Sequence, residues 1–149
     1  MNLILEINNL AGCNFDEKRL KLAVAETIEK SERANFFKKD VSLSIALVSA
    51  KEIKKINKKY RDKNYPTDIL SFGNFEKVEE LIAAGGENIF LGELIICYED
   101  IEKYCQEENI SLDSEFFKVI SHGVLHLLGF DHGEQMFALQ KEVSRIVCS

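Results

Sequence analysis

Apolar and polar positions along the chain alternate between two periods, and the switches mark the elements. Residues 2–9 (NLILEINN) are short, apolar and isoleucine-rich, which predicts a strand. After a turn at 11–14 containing Gly12, Leu20, Ala23, Val24, Thr27 and Ile28 recur at helical spacing. Asp16 is placed to cap that helix, which should run to about Ser31. Residues 35–40 form a connector. Residues 41–48 alternate at first and then become wholly apolar, as expected for a strand near the middle of a sheet. Ser49 with Glu52 three positions on is a capping-box pattern opening a second helix. Ile53, Ile56 and Tyr60 are its expected inner face and lysines its outer one. A polar loop follows, in which Pro66, the sole proline, fixes its own φ and pushes Tyr65 towards extended geometry. Residues 68–72 read as a third strand. An excursion over 73–88 has the Gly85-Gly86 pair at its tip and a helical patch at 78–83. Residues 89–97 read as a fourth strand, and 98–109 as a charged helix. The next helix, opened by Ser111 or Asp113, is apolar nearly all round, which marks a buried helix. A tail helix over 134–147 offers Phe137, Leu139, Val143 and Ile146 for packing.

The resulting order, β-α-β-α-β-β-α-α-α, predicts an α+β fold. It should be a single domain over 1–149 with a mixed sheet of about four strands packed by helices. The βαβ opening favours parallel neighbours with right-handed crossovers, and the link between the third and fourth strands favours an antiparallel pair. No apolar run approaches the ~20 residues that span a bilayer. The first residues, MNLILE, lack a basic segment followed by a long apolar one, so a cytoplasmic location without membrane attachment is expected. The four cysteines (Cys13, Cys97, Cys105, Cys148) show no paired spacing and are expected as free thiols, mostly buried.

Charge refines this picture. The net charge is −6, which argues superficially against a polyanionic partner. Yet residues 51–63 concentrate Lys51, Lys54, Lys55, Lys58, Lys59, Arg61 and Lys63 against Glu52 and Asp62 only. Such a basic stripe on an acidic body can hold phosphates; it can equally be a solvated helix face.

The chemistry concentrates elsewhere. All three histidines of the chain lie within eleven residues, His122-x-x-x-His126-x-x-x-x-x-His132. The first two are one helical turn apart on one face. Gly129 can end the helix in the left-handed conformation, and His132 can then close a triangle. Three neutral imidazoles converging on a point make a divalent-metal site with one position left for water. This is the helix-turn ligand frame of the metzincin-type zinc peptidases, HExxHxxGxxH, but Gly123 stands where those enzymes carry their glutamate base. A peptidase mechanism is therefore disfavoured, while the metal frame is intact.

The block HGVLHLLGFDH (122–132) resembles the signature HGxLHLxGxDH of the YbeY family of bacterial rRNA-maturation endoribonucleases. Residues 56–72, INKKYRDKNYPTDILSF, are similar to that family's NxxYRxKxxPTDVLSF segment. Residues 91–96, LGELII, are similar to its LGDIxI strand, with Glu93 for the usual acid. The three ordered blocks span most of 50–133. The resemblance implies a zinc-dependent, single-strand-specific endoribonuclease acting in small-subunit rRNA 3′-end maturation and ribosome quality control. Its partners would be ribosomal RNA and the small subunit or its proteins. It also implies His122, His126 and His132 as zinc ligands and Arg61 as the arginine near the metal that contacts RNA phosphate.

On this basis Lys54, Lys55, Lys58, Lys59, Arg61 and Lys63 are expected to bind RNA, with Arg61 stabilising charge on the phosphate. Without the resemblance, Arg61 reads as an ion-pair partner of Asp62, Asp68 or Glu93. Asp131, beside a ligand, is a candidate to orient a histidine N–H. Lys118, one turn before His122, either faces the site mouth or extends to solvent. The competing classes are a ribosome-assembly factor with a purely structural metal, which needs a fourth protein ligand, and another zinc hydrolase. Monomer is the default oligomeric state.

Overall fold

The computed structural model describes residues 2–85 and 87–149. Gly86, half of the expected glycine tip, lies outside them. The elements follow the order β1 (Asn2–Asn9), α1 (Glu17–Lys30), a 3-10 turn (Ala34–Phe36), β2 (Asp40–Leu47), α2 (Ala50–Arg61), β3 (Ile69–Gly73), α3 (Val78–Ala83), β4 (Asn88–Ile96), α4 (Tyr98–Glu108), α5 (Leu112–Leu127) and α6 (Glu134–Cys148). The helical patch at 78–83 is thus an element in its own right, and the 35–40 connector contains a helical turn. The fold is α+β, as expected. The strand order is β1-β2-β4-β3. β1, β2 and β4 run parallel, and β3 is antiparallel to β4. The wholly apolar half of β2 is central, where both faces of a strand are covered.

The two faces of the sheet are built differently. Leu43, Ile45 and Leu47 of β2 with Leu94 and Ile96 of β4 point to one side, into the main core shared with α1, α5 and α6. Ala46, Leu70, Ile95 and Cys97 point to the other, where Ile53 of α2 completes a small cluster. The register slips by one residue between Ser42 and Ser44 of β2, opposite Phe90 and Glu93 of β4. Gly92 (φ 140°) occupies this bulge, and a Cβ there would collide with the Phe72 carbonyl. Gly123 lets α5 close on the sheet: a Cβ would stand 2.6 Å from Ile69 Cδ1 and 2.9 Å from Leu94 Cδ2.

The caps behave as the sequence suggests. Asp16 accepts from the Arg19 N–H, Ser49 from the Glu52 N–H and Ser111 from the Ser114 N–H. Two packing expectations fail. Tyr60 keeps the helical phase of the inner face but is 59% exposed. It lies at the end of α2 beside the edge strand β3, where Phe72 meets it edge-on at 5.4 Å. Asn57 is buried instead, its amide donating to the Tyr65 carbonyl at 2.9 Å and so anchoring the loop ahead of Pro66. Phe137 is 52% exposed, because the buried stripe of α6 runs through Met136, Val143 and Val147. Leu139 and Ile146 are half-buried. Cys97 and Cys105 are buried, Cys13 and Cys148 half-buried, and all four are free. Among the described residues no helix is long and apolar enough to cross a membrane.

Candidate metal centre

α5 presents His122 and His126 from a rod buried almost all round. Its C-terminus is a Schellman turn. The Gly129 N–H donates to the His126 carbonyl and the Phe130 N–H to the Leu125 carbonyl, both at 3.0 Å. Gly129 takes φ 88°, and a Cβ on it would stand 2.9 Å from the Val78 backbone nitrogen. The turn brings His132 back beside the other two, with ring centroids 4.6, 5.1 and 4.5 Å apart. One ligand atom from each ring lies within 4.8 Å of the others. His122 Nε2 and His126 Nε2 are 3.0 Å apart. Imidazoles on a tetrahedral zinc at ~2.0–2.1 Å place their nitrogens roughly 3.3 Å from one another, so the group fits a metal with little movement.

The protonation states suit ligation. The Nδ1–H of His122 donates to Gln140 Oε1 at 2.9 Å, which leaves the Nε2 lone pair free to face the other rings. Burial, and then the neighbouring His122 and His132, lower the pKa of His126 to about 4, against an opposing hydrogen bond with the Phe130 backbone. Its ring is neutral at pH 7. His122 and His126 are half-buried and His132 is exposed; the third ring lies past the end of α5, on the rim. Among the described residues the group has three members, none of them a cysteine. Three imidazoles without thiolate suit zinc and its first-row neighbours.

The histidines open into a cavity of about 620 Å³ that Arg61, Lys118, Phe137 and Gln140 also line. Arg61 reaches it from the last turn of α2 by lapping over the edge strand, donating to the Ser71 carbonyl at 2.9 Å. Its guanidinium also sits 5.6 Å from the Phe72 ring centre. None of the carboxylates proposed for it binds it: Asp68 accepts from the Ile69 N–H, Glu93 from the Ser44 hydroxyl, and Asp62 caps α2 in the left-handed conformation. Lys118 stands at the mouth, 3.7 Å from Glu115. Lys54, Lys55, Lys58 and Lys59 are not in this cavity. They border a shallow depression with Lys51 and Asn64 on the outer face of α2, across the sheet from α5. Lys63 borders neither. Asp131 is exposed and outside the cavity, and no hydrogen bond joins it to a histidine ring.

Gln140 holds the position considered for Asp131, and the sequence contains a signal for it. It falls in phase with Met136, Val143 and Val147, a polar residue on an otherwise apolar stripe. Phe137 has the aromatic character that packs on most amphipathic helices, but here it faces the rim of the cavity.

The family described as endoribonuclease YbeY matches residues 6–146 in sequence. This chain belongs to the YbeY endoribonuclease family. An endoribonuclease YbeY of Fusobacterium nucleatum is 32% identical over 146 residues, covering 91% of this chain and 86% of that one. That of Bacillus licheniformis is 35% identical over 151 residues, covering 96% and 94%. That of Wigglesworthia glossinidia brevipalpis is 44% identical over 96 residues, a match to 64% of this chain and 59% of that protein. The solution structure of TM1509 from Thermotoga maritima superposes with a TM-score of 0.62 at 27% identity, covering 97% of this chain and 89% of that one.

Within this YbeY-family chain the glycine after the first histidine has a structural account. The Gly123 Cα faces Ile69 and Leu94, inside the contact between α5 and the sheet. A side chain there starts in packed apolar surroundings, so adding a base would require the Ile69 and Leu94 side-chain ends to shift and would bury a charged group in an apolar contact.

Proposed function

We propose that this chain is a metal-dependent endoribonuclease that cuts single-stranded ribosomal RNA in the cytoplasm. Its role would be maturation of the small-subunit rRNA 3′ end and ribosome quality control, with the small subunit or its proteins as partners. The observation that carries this reading is a guanidinium that, among the described residues, has no carboxylate partner and shares a cavity with three convergent imidazoles, in a chain of the YbeY family. His122, His126 and His132 would hold one zinc ion. When bound, such an ion supplies a Lewis acid that lowers the pKa of water and screens charge on a phosphodiester.

The chain's own residues do the rest. Arg61 offers its remaining N–H donors to a phosphate oxygen; its planar fork suits that geometry and stays charged at any working pH. The bond to the Ser71 carbonyl fixes the fork before substrate arrives, which limits the ordering cost at binding. Gln140 fixes the His122 ring. The lysines of α2, across the sheet, act at longer range by drawing a polyanion towards an acidic protein. A purely structural metal needs a fourth protein ligand, and three are present among the described residues. No protein base is assigned, and the unit is taken as a monomer of one domain.

The test is cleavage of single-stranded and structured rRNA fragments by metal-loaded protein beside His126→Ala and Arg61→Ala variants. Wild type should cut single strands, His126→Ala should lose both metal and activity, and Arg61→Ala should keep its metal and lose roughly 10²–10³-fold in rate. Equal rates in all three preparations would refute the assignment.

A further inference from the structure

Building on the ribonuclease reading, we propose that single-stranded RNA runs from the histidine cavity along the groove between α5 and α6. Phe137 stacks a base beside the metal centre, and Lys118, Lys141 and Arg145 bind the phosphates that follow. A second concavity of about 660 Å³ lies between these helices, lined by Lys118, Lys141 and Arg145 among others. Lys118 borders both concavities, so they share a wall at the cavity mouth. Phe137, Lys141 and Arg145 fall at i, i+4 and i+8 of α6, one stripe with about 6 Å of rise between members. An exposed aromatic ring followed by spaced cations is the pattern that binds single strands without reading sequence: bases stack, phosphates are tracked by charge.

The neighbouring charges are compatible. Among the described residues Lys141 and Arg145 form no ion pair, while Glu142 in the same groove is 3.9 Å from Lys30 and Glu115 pairs with Lys118. The Ser114 and Ser144 hydroxyls are occupied with each other at 3.2 Å and with the Ser114 carbonyl. The cationic side chains are therefore what the groove offers a ligand. Phe137 also gains an explanation for being half exposed at the rim of a cavity instead of packed with Met136.

The experiment is steady-state cleavage, by metal-loaded protein, of a fluorescent single strand of about four nucleotides, near the smallest site size for such grooves. The variants are Lys141→Gln/Arg145→Gln on α6 and, as control, Lys38→Gln/Lys39→Gln just before β2, which border none of these cavities. All four side chains are exposed, and metal content and melting temperature verify each fold. The α6 pair should raise KM about tenfold with kcat within twofold, and should reduce the slope of log(kcat/KM) against log salt by about 1.4, the value for two lost contacts to a single strand. The control pair should change KM less than twofold. Phe137→Leu should raise KM for an intact strand, and the penalty should vanish when the nucleotide beside the cut is abasic; Phe137→Trp should restore it. An α6 pair indistinguishable from wild type, or an equal effect from the control pair, overturns this path while the nuclease stands. If wild type neither binds nor cuts any single strand, the nuclease reading falls and takes the path with it.

Discussion

The two faces of the sheet solve different problems. On one, α5 lies in a thick apolar layer with α1 and α6, and its own residues are buried nearly all round. On the other, α2 rests on a cluster of a few residues and turns a lysine-rich side to solvent. A three-ligand metal site tolerates little positional error, and the three imidazoles that could form one sit on the rigid face. Attraction of a polyanion needs charge and no fixed geometry, so an exposed helix suffices. Arg61 joins the two: its backbone belongs to α2, and its guanidinium crosses the edge strand into the histidine cavity.

The comparison is broken most severely by removing the close approach that makes α5 rigid. Gly123→Val places a branched side chain where Ile69 and Leu94 already stand within 3 Å of a Cβ. Overpacking of this kind costs about 1–3 kcal/mol, and urea unfolding should report it together with loss of metal. A stable variant retaining its metal would mean that α5 can ride higher on the sheet without moving its ligands.

The next effect is electrostatic and belongs to the metal-free protein. His126 titrates near 4 in the fold because burial and two neighbouring imidazoles oppose its charge, against ~6.5 when unfolded. Between those values the unfolded chain binds a proton that the fold refuses. Stability is therefore intact above about pH 6.5 and declines as pH falls towards 4, with no further change from this group below that. Chemical denaturation of chelator-treated protein at pH 7 and pH 4.5 measures it, and His126→Gln should flatten that part of the profile. An unchanged slope in the variant would assign the acid sensitivity to other groups.

How much of this was legible in the sequence follows from the same contrast. The histidine spacing, Gly129 as the helix stop, and the caps Asp16, Ser49 and Ser111 are local properties, and local properties are written in neighbouring residues. The strand order is partly so: the βαβ opening implies parallel neighbours, but β4 inserting between β2 and β3 is a tertiary outcome. Tyr60 and Phe137 have helical phase or aromatic character suited to burial, yet sit where an element runs past its partner, and helix ends are where periodicity loses its authority. Gln140 acts through a contact eighteen residues away. Gly123 reads as a missing base in the sequence; only its packed neighbours, Ile69 and Leu94, show what a side chain there would have to displace. The family resemblance, carried by three ordered blocks, is borne out by the match over 6–146.

A smaller change sharpens the rigid side further. Gln140→Leu keeps volume in the α5–α6 contact and removes the acceptor for His122 Nδ1–H. Losing such a partner typically weakens metal binding 10- to 100-fold. A chelator competition titration should show this with the melting temperature of the metal-free protein nearly unchanged, and Gln140→Glu, which retains an oxygen acceptor, should recover most of the affinity. Unaltered affinity in Gln140→Leu would leave the Schellman turn and core packing as sufficient to orient the ring.

The smallest effect lies on the open face and has the opposite sign. Lys55 stands at i+4 from Lys51 and at i−4 from Lys59, and Lys54 is likewise one turn before Lys58. Like charges at that spacing each cost an exposed helix roughly 0.2–0.5 kcal/mol. Among the described residues no carboxylate forms an ion pair with these lysines. Lys55→Gln relieves repulsion from Lys51, Lys58 and Lys59 and gives up attraction to Glu52, a net of two pairs, so it should stabilise the protein by a few tenths of a kcal/mol at low salt, with the gain vanishing as screening rises. The same variant should slow association with a long single-stranded RNA at low salt, by a factor of about two, while leaving dissociation and kcat alone. Stopped-flow binding beside urea unfolding reads both. A stabilised protein with unchanged association would mean that these lysines weaken α2 without helping RNA to arrive; a destabilised one would reveal a partner for Lys55 and end the description of this face as unpaired charge.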